Sequence, residues 1–213
     1  MTDATRDPGL PARLLLTERD ALLPILRAAD PADLDRPTCL PGWSVRDVLA
    51  HCAAAFTMTA EHSWHGFSPE ENQRDVDERN AWPVGDVLAE LESGYATTAA
   101  AATAAGGQLD GLVLGEWLHG GDVREALGLP DAYASAGADD ALVLLAERSR
   151  ERGVPRTTVT LTDGTALELG GPDGEATLRT DTATLFRMIA GRRTDPVRYE
   201  LRGANAASYV LFS

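Results

Sequence analysis

Leu15, Leu22, Leu23 and Leu26 recur at helical spacing within residues 12–29, which predicts a first amphipathic helix with a kink or late boundary at Pro24. The next stretch, DPADLDRPTCLPGW, holds too many prolines for a long regular element and reads as an ordered loop. Ser44 with Asp47 three residues later is a capping-box signature. Val45, Val48, Leu49, Cys52 and Phe56 then form the apolar stripe of a second helix that ends near Glu61. Residues 62–82 are polar and irregular, long enough to be read as a functional loop. Pro83 opens a third helix over 84–105, in which Val87, Leu88, Leu91 and Tyr95 precede an Ala/Thr tract whose narrow side chains permit close packing; Gly106 and Gly107 end it. A fourth helix over 108–128 is stopped by Gly128 and Pro130. Four helices with short to medium connections predict a bundle.

A fifth helix is expected at 138–152, after which the hydrophobic period changes from 3.6 to 2. TTVTLT and TALELG flank Asp163-Gly164, a pair suited to the positive φ of a type I′ hairpin turn. EATLRT predicts a third strand, DTATLFRMIAG a short helix and VRYELRG a further strand. The expected fold class is therefore α+β, with a helical bundle over residues 1–135 and a small α/β subdomain over 136–213. No low-complexity linker separates the two parts, so they are expected to pack together.

Composition narrows the functional classes. The chain has 213 residues, 44% hydrophobic and 24% charged, which excludes a disordered chain, and no apolar run approaches a membrane span. A net charge of −14 repels phosphate backbones and anionic lipid, so neither nucleic acid nor membrane is an expected partner. Cys39 and Cys52 are too few for a disulfide framework, and MTDATRDPGL contains no apolar signal region, which together point to a reducing cytoplasm.

Candidate chemistry centres on residues 108–128. Leu109, Leu112, Glu116, His119, Val123 and Leu127 share one helical stripe, so a carboxylate and an imidazole stand on the face expected to turn inward. Burying them unpartnered costs several kcal/mol, so they require a metal, a cation or each other. Side chains three apart on a helix converge, as Glu-x-x-His pairs do in metal-binding bundles. His51, on the flank of the second helix, could complete an N/N/O set of His51, Glu116 and His119 that leaves a position open, as in catalytic zinc sites. Such histidines are also common as hydrogen-bonded structural residues. Glu61, His62 and His65 form a competing group, but at a helix end in a polar stretch they are expected at the surface. Trp43, Trp64, Trp82 and Trp117 read as packing or pocket-wall residues. Gly120 and Gly121 each cost a helix about 1 kcal/mol, which implies close approach of another backbone or a ligand. Neither Cys39, in a Pro-rich loop, nor Cys52, on an apolar stripe, reads as a nucleophile.

PGWSVRDVLAH (41–51) and EWLHGGDVREALG (116–128) resemble the two signatures of the mycothiol-dependent maleylpyruvate isomerase family, within the DinB-like four-helix metalloenzyme superfamily. TLRTDTATLFRMIAGRR (177–193) resembles the start of that family's C-terminal α/β domain, so the likeness spans nearly the whole chain. The resemblance implies an up-down-down-up bundle and a divalent metal, usually Zn2+, held by His51, Glu116 and His119. It also implies a low-molecular-weight thiol cosubstrate, mycothiol or similar, and Arg192 as a binder of substrate carboxylate. The family pattern places its Glu four residues before the second His, where this chain has Gly115; Glu116 stands three before. The expected activity is metal-dependent, thiol-dependent isomerisation or S-transfer on a small electrophile in an actinobacterial-type cytoplasmic enzyme. The alternatives are a metal-free binding or regulatory protein with a structural His/Glu network, or a metal-dependent hydrolase using the same ligands.

Overall fold

The structure is a computed structural model and describes residues 6–64 and 68–212. Helices α1 (Leu10–Ala28), α3 (Val45–Glu61), α5 (Val84–Ala104) and α6 (Asp110–Ala126) form the bundle. Helix α5 packs against both α1 and α3, and α6 does the same from the other side, so α1 faces α3 across the bundle. Leu14, Leu15, Leu22, Val45, Val48, Leu49, Phe56, Leu91, Val113 and Leu114 fill the interior. Helix α5 approaches α3 closely just before the Ala/Thr tract. At Gly94 a Cβ would stand 2.5 Å from the Phe56 Cβ, and the Phe56 ring lies 4.8 Å from that of Tyr95. No helix among the described residues is long and apolar enough to cross a membrane.

Two local expectations need correction. Pro24 does not end helix α1, which continues to Ala28; it lies on the exposed face, where water can reach the carbonyl that the missing N–H leaves unpaired. Residues 62–82 are not one irregular loop, because Pro69–Asn80 forms helix α4. Its start signals are complete: Ser68 and Glu71 make a reciprocal capping box, and Pro69 occupies the first turn. It lacks an apolar stripe, burying only Asp75, Val76 and Arg79, and a two-pronged ion pair from Arg79 to Glu90 at 2.8 Å fastens it to α5. The four-residue helix α2 (Pro31–Leu34) and a bridge between Pro37 and Ser44 order the Pro-rich loop. Glu61 and His62 are exposed as expected, while His65 lies outside the described residues.

Helix α7 (Ala138–Glu151) packs on α1 and α6 and also on the sheet through β2. The sheet contains β1 (Thr157–Leu161), β2 (Ala166–Leu169), β3 (Ala176–Thr180) and β4 (Tyr199–Arg202) in the order β2-β1-β3-β4. Strand β1 is antiparallel to β2 and parallel to β3, which is antiparallel to β4. The β1–β2 hairpin departs from a type I′ turn. Positive φ falls on Gly164 (94°) but not on Asp163, and bonds link Gly164 N to Leu161 O and Leu161 N to Thr165 O, the pattern of a turn followed by a glycine bulge. Helix α8 (Thr182–Ile189) follows β3, capped by Asp181, and buries Leu185, Phe186, Met188 and Ile189. Phe186 meets Trp117 of the bundle at 4.6 Å between ring centroids, so the two parts share one core.

Candidate functional site

Helix α3 starts where the sequence predicts. Ser44 Oγ accepts from the Asp47 amide at 3.3 Å and the Asp47 carboxylate accepts from the Ser44 amide at 2.7 Å, which fixes the helix's rotation and turns His51 inward. Helix α6 is buried nearly all round: Val113, Leu114, Trp117, Leu118 and Val123 accompany Glu116, Asp122 and Arg124. The structure brings His51 and His119 together, with ring centroids 5.2 Å apart in an edge-on arrangement. Trp43 forms the other wall of His51, 5.1 Å away. Burial, with the facing His119 ring, pushes the His51 imidazole down to about 3, so the ring is neutral and offers a lone pair.

Glu116 is fully buried near the same centre, and burial pushes its carboxyl up to about 7 against the opposing effects of His119 and a hydrogen bond with Cys52. Its Oε2 has no hydrogen-bond partner among the described residues. Cys52 is buried, with its thiol pushed up by burial and by Glu116, which agrees with its exclusion as a nucleophile.

The side chain that organises this region is Asp122, which the stripe on residues 108–128 does not include. Its carboxylate has no exposed surface and faces His119 Nδ1 at 3.0 Å. Arg192 donates to it through Nε at 2.9 Å and Nη2 at 2.7 Å, the Tyr133 hydroxyl donates at 2.5 Å, and the Cys39 thiol at 3.0 Å. Although burial pushes the Asp122 carboxyl up, hydrogen bonds from His119 and Arg192 outweigh this and hold it well below the usual carboxylate range. Cys39 is pushed the other way, by burial and the Asp122 charge, so its thiol stays protonated. Arg192, expected to bind a substrate carboxylate, spends its two-pronged edge on Asp122 and one further N–H on the Ala190 carbonyl at 2.9 Å. Asp122 carries one available sequence signal, its i+3 spacing from His119. Tyr133, on the α6–α7 loop, carries none.

The paired glycines are explained by side chains rather than by a backbone or a ligand. A Cβ on Gly120 would stand 1.8 Å from Glu18 Oε1, and one on Gly121 2.5 Å from the Tyr133 ring. Trp117 is core and its indole N–H reaches the Ala136 carbonyl, Trp43 and Trp82 are half-buried, but Trp64 is 40% exposed. A cleft of about 1000 Å3 lies beyond Tyr133, walled by Asp131, Asp181, Thr184, Arg187 and Arg193; His51, Glu116 and His119 do not line it.

Among the described residues no group of three or more His, Cys, Asp and Glu is assembled as a ready metal-binding cluster. The donors at this centre nonetheless suit a divalent cation in kind: two facing imidazoles, one backed by a carboxylate as metal-bound histidines are, and a buried carboxylate with an orphaned oxygen.

The family model described as mycothiol maleylpyruvate isomerase N-terminal domain matches residues 15–130. The fold is similar to a crystal structure of the mycothiol-dependent maleylpyruvate isomerase, with a TM-score of 0.62 and 16% identity over 94% of this chain and 95% of that one. A structure of a His-to-Ala mutant of the mycothiol-dependent maleylpyruvate isomerase aligns over the same shares with a TM-score of 0.58 and 15% identity. No curated protein matches the chain.

Proposed function

Because the chain belongs to the mycothiol maleylpyruvate isomerase N-terminal domain family, we propose that it is a thiol-dependent isomerase or S-transferase acting on a small electrophile at the His51–His119 centre. The observation that carries this reading is the meeting of two imidazoles from α3 and α6 at 5.2 Å, one neutral by burial and the other backed by Asp122. His51 and His119 would hold a divalent metal, Zn2+ by the chemistry of the donors, with Glu116 the third protein ligand through its unpartnered oxygen. When bound, such a metal lowers the pKa of a coordinated thiol so that it stays thiolate at neutral pH.

The cosubstrate is a mycothiol-type thiol, since both protein cysteines are held protonated. In the isomerisation its sulfur forms a C–S bond at one end of a conjugated double bond, and the π pair moves onto the carbonyl oxygen. Rotation about the resulting single bond follows; the electron pair then returns and the C–S bond breaks, restoring the double bond in trans geometry and releasing the thiol. S-transfer is the same addition ended when the pair returns from the carbonyl oxygen and the carbon beside the carbonyl takes a proton, so the C–S bond stays. The protein's own part is to shield the centre from water with the Trp43 wall and to hold His51 and His119 in fixed relation. Such a reaction belongs in a reducing compartment, in keeping with a cytoplasmic enzyme.

The test is turnover of maleylpyruvate followed by absorbance with zinc-loaded protein. The expected result is conversion with mycothiol, negligible conversion without thiol, and loss of conversion in His51→Ala. Equal turnover with and without thiol would contradict thiol chemistry and favour hydrolysis by activated water. Gly115, standing four before His119 where the family pattern has its Glu, favours the metal-free binding protein as second reading, and a folded protein that takes up no zinc would support it.

A further inference from the structure

Asp122 gathers partners from four separate parts of the chain onto one buried carboxylate: His119 Nδ1 faces it from one turn earlier on α6, while Cys39 before α3, Tyr133 on the α6–α7 loop and Arg192 just after α8 donate to it. Because Arg192, Tyr133 and Cys39 all donate to it, Asp122 presents acceptor oxygens, so in neutral His119 the nitrogen facing it, Nδ1, carries the hydrogen and Nε2 keeps the lone pair. Arg192 meets Asp122 through the planar two-pronged geometry that distinguishes arginine from lysine.

We propose that Asp122 is a positioning residue that fixes His119 as the Nδ1–H tautomer with Nε2 left as the working nitrogen, and that Arg192 serves the site through Asp122 rather than by binding substrate directly. The consequence for metal affinity rests on the proposed function, whereas the tautomer does not. Tyr133 and Cys39 both donate to Oδ1, so among the described residues the oxygen facing His119 is shared only with Arg192. In Asp122→Asn the amide oxygen takes the Oδ1 position, where Arg192 Nε, Tyr133 and Cys39 donate, which leaves the NH2 group to face His119. That group donates to Nδ1 and moves the ring hydrogen to Nε2.

The experiment is two-bond 1H–15N correlation of the His119 ring in 15N-labelled, metal-free protein at alkaline pH, with circular dichroism to verify folding. Wild type and Tyr133→Phe are expected to show the Nδ1–H form, and Asp122→Asn the Nε2–H form. An Nε2–H ring in wild type, or an unchanged ring in folded Asp122→Asn, would overturn the proposal. The wild-type spectrum alone decides this if the variant does not fold. Zinc titration supplies the second readout: Asp122→Asn should weaken affinity by about 10- to 100-fold. Arg192→Gln should weaken it in the wild-type background and have no further effect in Asp122→Asn. Additive losses in the double variant would overturn the indirect role of Arg192. Failure of wild type to bind zinc would instead count against the proposed function and leave the tautomer result standing.

Discussion

Glu18 and Arg124 take opposite charges into an interior of leucines, with side chains 0% and 4% exposed. Two hydrogen bonds, at 2.7 and 3.0 Å, join them beside the gap left by Gly120. Burial pushes the Glu18 carboxyl up, and the Arg124 guanidinium opposes it. Removing one partner leaves the other charge buried alone, so Glu18→Ala should destabilise the protein by about 3–5 kcal/mol in urea unfolding. Glu18→Ala with Arg124→Met should recover much of that loss; a single-variant cost below about 1 kcal/mol would show that water reaches the pair. At this scale the sequence was partly legible. His51, Glu116 and His119 stand out because polar groups on an apolar stripe are conspicuous. The i+3 spacing of Asp122 says only that it can meet His119, whereas its tie to Arg192 spans 70 residues and exists only after folding.

Helix α3, with both an end signal and an apolar stripe, was readable, whereas α4, with an end signal alone, was not. Helix α3 has both, and its capping box stands where Ser44 and Asp47 predict it. Helix α4 has Ser68, Pro69 and Glu71 at its start but no stripe, because an ion pair to Glu90 does the work of apolar burial. The cap of α3 also makes the stability pH-dependent. Burial pushes the Asp47 carboxyl up, but bonds from Ser44 and Asn80 prevail and hold it below its ordinary value of 3.8. A carboxyl lowered in the folded state stabilises the fold above its unfolded value and loses that contribution as pH falls through the folded value. Asp47→Asn should therefore cost about 1 kcal/mol at neutral pH, by thermal unfolding, and the gap to wild type should close below about pH 4. A gap independent of pH would assign the effect to packing.

Across the whole molecule, the bundle and the C-terminal α/β unit are joined by the Trp117–Phe186 contact and by Arg192 reaching back to Asp122. The change of period near residue 155 announces the second unit, yet the pattern of single strands does not give the β2-β1-β3-β4 order or the parallel β1–β3 pair. Family membership and fold follow from the match to residues 15–130 and the structural alignment across 94% of the chain. The chemistry depends on the smaller question of whether His51 and His119 hold a metal although the position four before His119 is Gly115. The most direct measurement is the metal content of purified, tag-free protein after incubation with Zn2+, alongside His51→Ala and His119→Ala. The account predicts about one equivalent of zinc in wild type and none in either folded variant. No zinc in wild type, or stoichiometric zinc retained in His51→Ala, would contradict it.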